Sequence, residues 1–229
     1  MVTYNDLKVL YEDNHIIVVE KIPNIPSQGD KTGDIDMLTL IKEYIKVKYN
    51  KPGNVYIGLV HRLDRPTSGI MVFARSSKAA SRLNEQIKNN ELSKNYILVV
   101  HGILDKKEGI FKDKLKKLDN GNTIVDDKGK EAELEYKVLD ENKEENLSLV
   151  SVKLITGRHH QIRVQFASRG YPLYGDQRYG TLDGKQLALH AYKLSFVHPV
   201  KKELMEFTDF SCMDRDGFNV FNIANDSVL

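Results

Sequence analysis

The chain has 229 residues, 41% apolar and 29% charged, a composition ordinary for a globular protein with a buried core, for which disorder is not the default. Cys212 is its only cysteine, which excludes an intrachain disulfide and a multi-cysteine zinc site and fits a reducing, cytoplasmic compartment. The net charge of +2 hides segments of opposite sign: residues 75–117 hold eleven Lys/Arg against five Asp/Glu, residues 119–146 ten acids against four lysines, and residues 153–178 five bases against Asp176.

Leu7–Tyr11 and His15–Glu20 are β-branched-rich runs split by Glu12-Asp13-Asn14, which predicts an opening hairpin. Residues 23–34 read as a Pro- and Gly-containing loop. Asp34 or Asp36 then caps a helix with Leu38, Ile41 and Ile45 on one face, ending near Asn50-Lys-Pro-Gly53. Tyr56–Val60 and Gly69–Ala74 predict buried strands joined by a polar turn over residues 61–68. Ser76 or Ser77 caps a second helix that runs to about Asn89, and Asn95–His101 is a central strand. Residues 105–130, rich in Lys, Asp and Gly, predict an irregular or edge-strand excursion. Glu131–Leu139 and Leu147–Ile155 alternate as a long hairpin, followed by a helix over residues 159–168 with Ile162 and Phe166 buried and Gly170 ending it. Leu187–Phe196 and Glu203–Phe210 close the chain as a last hairpin. The sequence has no repeat, linker, signal-like start or apolar run long enough to cross a bilayer, so one mixed α+β domain over residues 1–229, outside the membrane, is expected.

The charge segments suggest one basic face for a polyanion and one acidic face that repels it, although charge alone fits an ordinary solvated surface equally well. A sharper feature is His61-Arg-Leu-Asp-Arg-Pro-Thr-Ser-Gly69, which puts Asp64 between two arginines on a loop bounded by strands. Flanking cations keep a carboxylate ionised and available as nucleophile or base. For an arbitrary Arg-x-Asp-Arg run, a salt bridge that merely orders the loop is the commoner outcome.

The nonapeptide resembles the active-site motif of the RluA family of RNA pseudouridine synthases. Lys94-Asn-Tyr96 is similar to that family's Lys-x-Tyr strand, Thr156-Gly-Arg-His-His-Gln-Ile-Arg163 to its Gly-Arg-x-His-Gln-Ile/Leu-Arg helix, and Gly175-Asp-Gln-Arg-Tyr-Gly180 to its Gly-Asp-x-x-Tyr-Gly turn. Leu189-His-Ala191 and His198-Pro199 fit its closing hairpin. The resemblance implies the pseudouridine synthase fold, with a mixed, mainly antiparallel sheet, flanking helices and a central basic cleft. It also implies isomerisation of uridine in structured RNA, either large-subunit rRNA or tRNA.

By the same resemblance Asp64 attacks C1′ or takes a proton from C2′, Arg163 pairs with the aspartate, and Tyr96 stacks on the target base. Arg62 enters the space left by the flipped nucleotide, and Arg65, Lys94, Arg158 and His160 join it among the RNA contacts. The reaction needs no cofactor and no metal, and a monomer whose partner is RNA is expected. Pro66, at a position often acidic in the family, and His159, at one often occupied by a small hydroxyl residue, depart from the pattern and bear on substrate preference. The extra N-terminal RNA-binding domain of many relatives is missing, so the catalytic domain is expected to read RNA by itself.

Other chemistries fit less well. The histidines lack metal-ligand spacing to a carboxylate, and Ser68 stands in Thr-Ser-Gly rather than Gly-x-Ser-x-Gly. The competing reading is a non-catalytic RNA-binding or ribosome-assembly factor that retains the fold.

Overall fold

A computed structural model describes residues 2–221 of the chain. Among them are eleven strands, three α-helices and one short 3-10 helix, the expected α+β organisation. The chain divides into two compact units, Met1–Leu92 with Lys193–Thr208 and Ser93–Tyr192 with Asp209–Leu229. No helix among the described residues is long and apolar enough to cross a bilayer.

In the first unit, β1 (Lys8–Glu12) pairs antiparallel with β2 (Ile16–Lys21), as the opening hairpin requires. Every residue of β2 is buried, so this strand is central. On its other edge β2 pairs antiparallel with β4 (Ser68–Ala74), in a register that sets Lys21 opposite Gly69. The short β3 (Gly58–Leu59) also pairs with β4.

Helix α1 (Met37–Lys48) starts at Asp36, whose carboxylate accepts from Thr39 N–H at 3.2 Å, a local cap that the sequence already announces. It buries Met37, Leu40, Ile41 and Ile45, one residue round from the face expected through Leu38. Helix α2 (Ser77–Lys88) is capped by Ser76 and buries Ala79, Ala80 and Leu83. These residues pack with Ile16, Val18, Ile70, Val72, Leu194 and Phe196 in one core.

In the second unit, β5 (Ser93–His101), β9 (Leu147–Leu154), β8 (Lys130–Asn142), β6 (Glu108–Lys117) and β7 (Thr123–Val125) lie in that order, all antiparallel. The region expected to be an irregular or edge-strand excursion contains a ten-residue strand, β6, which pairs with β8 over residues 108–115 and with the short terminal strand β7 only over residues 115–117, so most of it lies along the edge of the sheet. Helix α3 (Gln161–Ala167) buries Ile162 and Phe166 as expected but begins later. His160 has φ 53°, a left-handed conformation that interrupts the helical path. Strand β10 (Leu189–Val197) and β11 (Leu204–Thr208) form the closing hairpin, pairing from Lys193 onward within the first unit.

The register also resolves the charge segments. Lys112 lies opposite Glu133 and Lys114 opposite Glu131 across β6 and β8, with ion pairs of 3.2 and 3.8 Å, while Lys153 of β9 reaches Glu135 at 3.6 Å. The basic and acidic stretches are therefore neighbouring strands that neutralise each other in a ladder. The picture of a separate basic face and acidic face does not hold for these residues. Such exposed pairs contribute little to stability.

Candidate active site

The loop that links β3 to β4 carries Asp64. Its ends are pinned from below by buried groups. Ser27 Oγ donates to Leu63 O at 2.9 Å and accepts from Leu63 N–H at 3.1 Å, and the His61 ring nitrogen Nε2 accepts from Val72 N–H at 3.1 Å. Thr67 N–H donates to Asp64 O at 3.0 Å, closing the turn around Pro66. Alternate residues face opposite ways: His61 and Leu63 are buried, Arg62 is exposed, and Asp64 lies at an intermediate depth.

Beneath the turn sits Lys21, whose side chain is fully buried. Its ammonium donates to Thr67 O at 2.6 Å, Arg65 O at 2.9 Å and Ile22 O at 3.3 Å. Three acceptors match the three N–H groups of a charged lysine. Burial lowers the Lys21 pKa, the Asp64 charge pushes it back up, Arg65 opposes that, and the balance lies at about 7. The carbonyls of Arg65 and Thr67, the residues on either side of Pro66, are thus held by one amine, which gives the departure at Pro66 a structural setting.

The two arginines beside Asp64 part company. Arg65 turns to the loop before α1, forming an ion pair with Asp34, a longer one with Asp30 at 3.8 Å and a hydrogen bond to Thr32 Oγ1 at 3.1 Å. Arg62 is exposed and makes no hydrogen bond or ion pair among the described residues. Of the two arginines, Arg65 is therefore the one that makes a loop-ordering salt bridge among the described residues.

In the second unit, Lys94 and Tyr96 project from the same side of β5 by strand alternation, and Tyr96 is 5% exposed opposite Val152 of β9. Past the end of β9, the loop into α3 is organised by Gln161. Its side-chain oxygen accepts from Arg158 N–H at 2.9 Å and Thr156 Oγ1 at 2.8 Å, and its amide donates to Glu133 O at 3.0 Å. Arg158 is exposed and donates through Nε to Glu131 O at 2.8 Å.

His160 stands at the N-cap position yet caps nothing. Its Nδ1 lies 2.7 Å from Tyr179 Oη, and its ring stacks on His159 at 3.7 Å between centroids. His159 Nδ1 lies 2.9 Å from Thr123 Oγ1. The two rings thus reach β7 through Thr123 and the 175–180 turn through Tyr179.

Arg163, 5% exposed on α3, forms a two-pronged pair with Asp176 at 2.8 and 2.7 Å. The guanidinium carbon also lies 5.2 Å from the centroid of the Tyr179 ring. Asp176 Oδ1 accepts in addition from Arg178 N–H at 2.9 Å and Tyr179 N–H at 3.1 Å. Burial pushes the Asp176 carboxyl up, but the Arg163 bond and charge, with the two N–H donors, outweigh it and leave its pKa below the usual value. Gly175 is required where it stands: φ is 69°, and a Cβ there would lie 2.2 Å from Gln186 O.

Two residues of consequence escaped the sequence reading. Lys21 closes the apolar run that was read only to Glu20, and a lysine at a strand end ordinarily reaches solvent. Asp176 was in view within the Gly-Asp motif, but only the packed structure shows it holding Arg163. Among the described residues, no group of three or more His, Cys, Asp or Glu is placed to hold a metal ion.

Residues 15–168 match the family described as RNA pseudouridylate synthase. The chain is 36% identical over 209 residues to the uncharacterized RNA pseudouridine synthase YhcT of Bacillus subtilis (strain 168), covering 88% of this chain and 68% of that protein. It is 32% identical over 219 residues to ribosomal large subunit pseudouridine synthase C of Buchnera aphidicola subsp. Baizongia pistaciae, covering 88% of this chain and 66% of that one. Among solved structures, human RNA pseudouridylate synthase domain containing 4 matches with a TM-score of 0.74 at 20% identity, over 89% of this chain and 88% of that chain. At that identity the likeness speaks for the fold.

Proposed function

Since the chain belongs to the RNA pseudouridylate synthase family, we propose that it isomerises uridine within structured RNA with Asp64 as the carboxylate that acts on the nucleotide sugar. The isomerase activity on RNA is the family's. The assignment of Asp64 rests on one observation above the others: its loop is locked by Ser27, His61 and Lys21 while Asp64 itself stays at intermediate depth. A carboxylate on a mobile loop would spend its time in unproductive geometries; a locked one is held for attack.

The N1–C1′ bond breaks, with Asp64 bonding C1′ or removing the C2′ proton. The freed uracil turns, C5 bonds to C1′ as the Asp64 carboxylate leaves C1′ or returns the proton to C2′, and C5 loses its proton while N1 gains one. All bonds rearrange within one nucleotide, so the chemistry calls for no redox or group-transfer cofactor. Tyr96 serves as the aromatic that faces the base, and Arg163 as the cation of the same reaction, fixed by Asp176. The target nucleotide leaves its stack, and Arg62, exposed and uncommitted, is suited to the gap. Arg65, already engaged by Asp34, contributes less to RNA than its neighbour does. The name of the Buchnera relative favours large-subunit rRNA over tRNA as the substrate.

The test is release of tritium from bulk cellular RNA labelled at uridine C5, with no cofactor added. Wild type releases it and Asp64→Ala does not. Equal release by both proteins overturns the role of Asp64, and none from either favours a binding or assembly factor.

A further inference from the structure

Strand β6 leaves most of one edge open. On its inner side it pairs with β8 from Glu108 to Leu115, and on its outer side β7 covers it only from Leu115 to Lys117, with Asp126 N–H reaching Lys114 O at 2.9 Å. The neighbouring hydrogen bonds fix which backbone groups point outward. Glu133 O accepts from Ile155 and Thr156 N–H, both at 3.1 Å, on the β9 side, so the even-numbered residues of β8 turn to β6 and bond its odd-numbered residues. Val138 N–H does this with Lys107 O at 2.6 Å. The N–H and C=O groups of Glu108, Ile110 and Lys112 therefore face outward, and among the described residues they meet no partner there.

The side chains alternate in step. Phe111 and Asp113 turn to α3, through the Phe166 ring and through Gln165 and Arg169, whereas Glu108, Ile110 and Lys112 stand on the open face, Ile110 54% exposed. Proteins commonly guard such an edge with lysine, which repels a foreign strand. Here the charges match a second β6 instead. With two copies antiparallel about a two-fold axis at Ile110, Glu108 of each faces Lys112 of the other, and the two Ile110 side chains meet. Within one copy Glu108 already stands opposite Lys137, and Lys112 lies 3.2 Å from Glu133. Each charged row would thus alternate in sign across four strands: Lys137 and Glu108 of one copy, then Lys112 and Glu133 of the second.

Other registers fail. An axis at Glu108 or at Lys112 sets like charges face to face, one at Gly109 sets Lys112 against Lys106, and one at Phe111 needs Lys114, whose carbonyl Asp126 N–H already holds. The open stretch also has the length of the strand it would receive. From Lys114 onward β7 closes the edge, and the residues of a second copy that would meet it there, Lys106 and Lys107, precede β6.

We propose that two copies of this chain join their sheets through the outer edge of β6, residues 108–112, about a two-fold axis at Ile110. The contact uses the same patch on both copies, so it closes at the dimer. A pairing this short belongs with the small, transient interfaces, and the dimer is concentration-dependent. The monomer expected from the sequence then describes dilute protein.

Sedimentation equilibrium of the full chain over roughly 1 to 500 µM reads the balance. Wild type should pass from monomer to dimer and no further. Ile110→Pro removes an outward N–H that bonds nothing within the chain, so it should keep the fold and abolish the dimer. Glu108→Lys and Lys112→Glu each place two like-charge pairs in the dimer and should each weaken it roughly 10- to 100-fold. Mixing these two variants should bring the dimer back, because every altered site then faces the opposite charge on the other chain. Thermal unfolding of each variant shows whether it is folded, and the two charge variants decide the matter if Ile110→Pro is not. A wild type that stays monomeric throughout overturns the proposal and leaves the edge to a strand of another protein. So does a dimer that survives in folded Ile110→Pro, or a mixture of the charge variants that associates no better than either alone. No arm of the experiment depends on the isomerase reading.

Discussion

Replacing Asp176 by Ala tests how Arg163 is held. The substitution removes both prongs of the Arg163 pair, at 2.8 and 2.7 Å, and the acceptor shared by Arg178 N–H and Tyr179 N–H, which fixes the 175–180 turn. Both side chains are nearly inaccessible, 6% and 0% exposed, so solvent does not take over the lost contacts. Breaking a buried ion pair from one side costs about 3–5 kcal/mol, and in a chain of this size each kcal/mol moves Tm by about 2–4 °C, so a fall of roughly 6–20 °C is expected. Asp176→Asn keeps Oδ1 as the acceptor for the two backbone donors but loses the charge and replaces Oδ2, the acceptor of Arg163 Nε–H, by an amide donor, and should fall by less. Because the folded carboxyl has its pKa lowered from the ordinary 3.8, the stabilisation is present above that value and is lost as pH falls below it through the folded pKa. The Tm gap between wild type and Asp176→Asn should therefore close in that acidic window. Calorimetry or circular dichroism reads the stability, and tritium release well below Tm should show a lower kcat with KM little changed. A Tm for Asp176→Ala equal to that of wild type at neutral pH would refute the reasoning.

Two further outcomes follow from the Asp64 loop. Lys21 titrates in the folded chain at about 7 against an ordinary 10.5, so between those values the unfolded chain holds the extra proton and stability rises with pH. Denaturant titrations of wild type and Lys21→Met should diverge by up to about 1.4 kcal/mol per pH unit above pH 7, with wild type gaining; parallel pH profiles would sink the account. Arg62→Ala should leave stability within about 0.5 kcal/mol, because Arg62 is exposed and uncommitted, yet lower kcat/KM for RNA roughly 5- to 150-fold, the worth of one stacked base; full activity would remove Arg62 from the reaction.

What was legible in the sequence is what local physics decides. Asp36 and Ser76 cap α1 and α2 with their own side chains, and the continuous apolar run of β2 reports burial on both faces without help from distant residues. Strand β6 was obscured because its buried residues, Phe111 and Leu115, stand four apart among charges, which breaks the alternation that marks a half-buried strand. Its lysines make sense only beside the glutamates of β8, a long-range pairing. The start of α3 was misplaced because His160 adopts a left-handed conformation that a histidine rarely takes, held there by Tyr179 from the following turn. The motifs offered Asp64, Tyr96 and Arg163 as candidates, but the groups that hold the Asp64 loop and Arg163 were hidden. Lys21 precedes Asp64 by more than forty residues and Asp176 follows Arg163 by thirteen, and neither separation has a helical or strand period to betray it.

The choice of lysine under the Asp64 turn is itself informative. Pushing its pKa from 10.5 to about 7 corresponds to roughly 5 kcal/mol against the charged form, a cost no neutral donor would carry. Hydrogen bonds alone do not explain it, because Asn24 N–H already donates to Arg65 O at 2.8 Å, and a serine does equivalent work on Leu63 through Ser27. What only a cation adds is a positive potential beneath Asp64, and the Asp64 charge in turn raises the lysine's pKa against the burial that lowers it. The arginine next in sequence does not substitute for it, since Arg65 is committed to Asp34. A buried lysine also brings no side chain to the open face of the loop, leaving that face to Asp64 and Arg62. The loop therefore tolerates an expensive buried charge because it supplies electrostatic support to Asp64 from beneath, without occupying the open face.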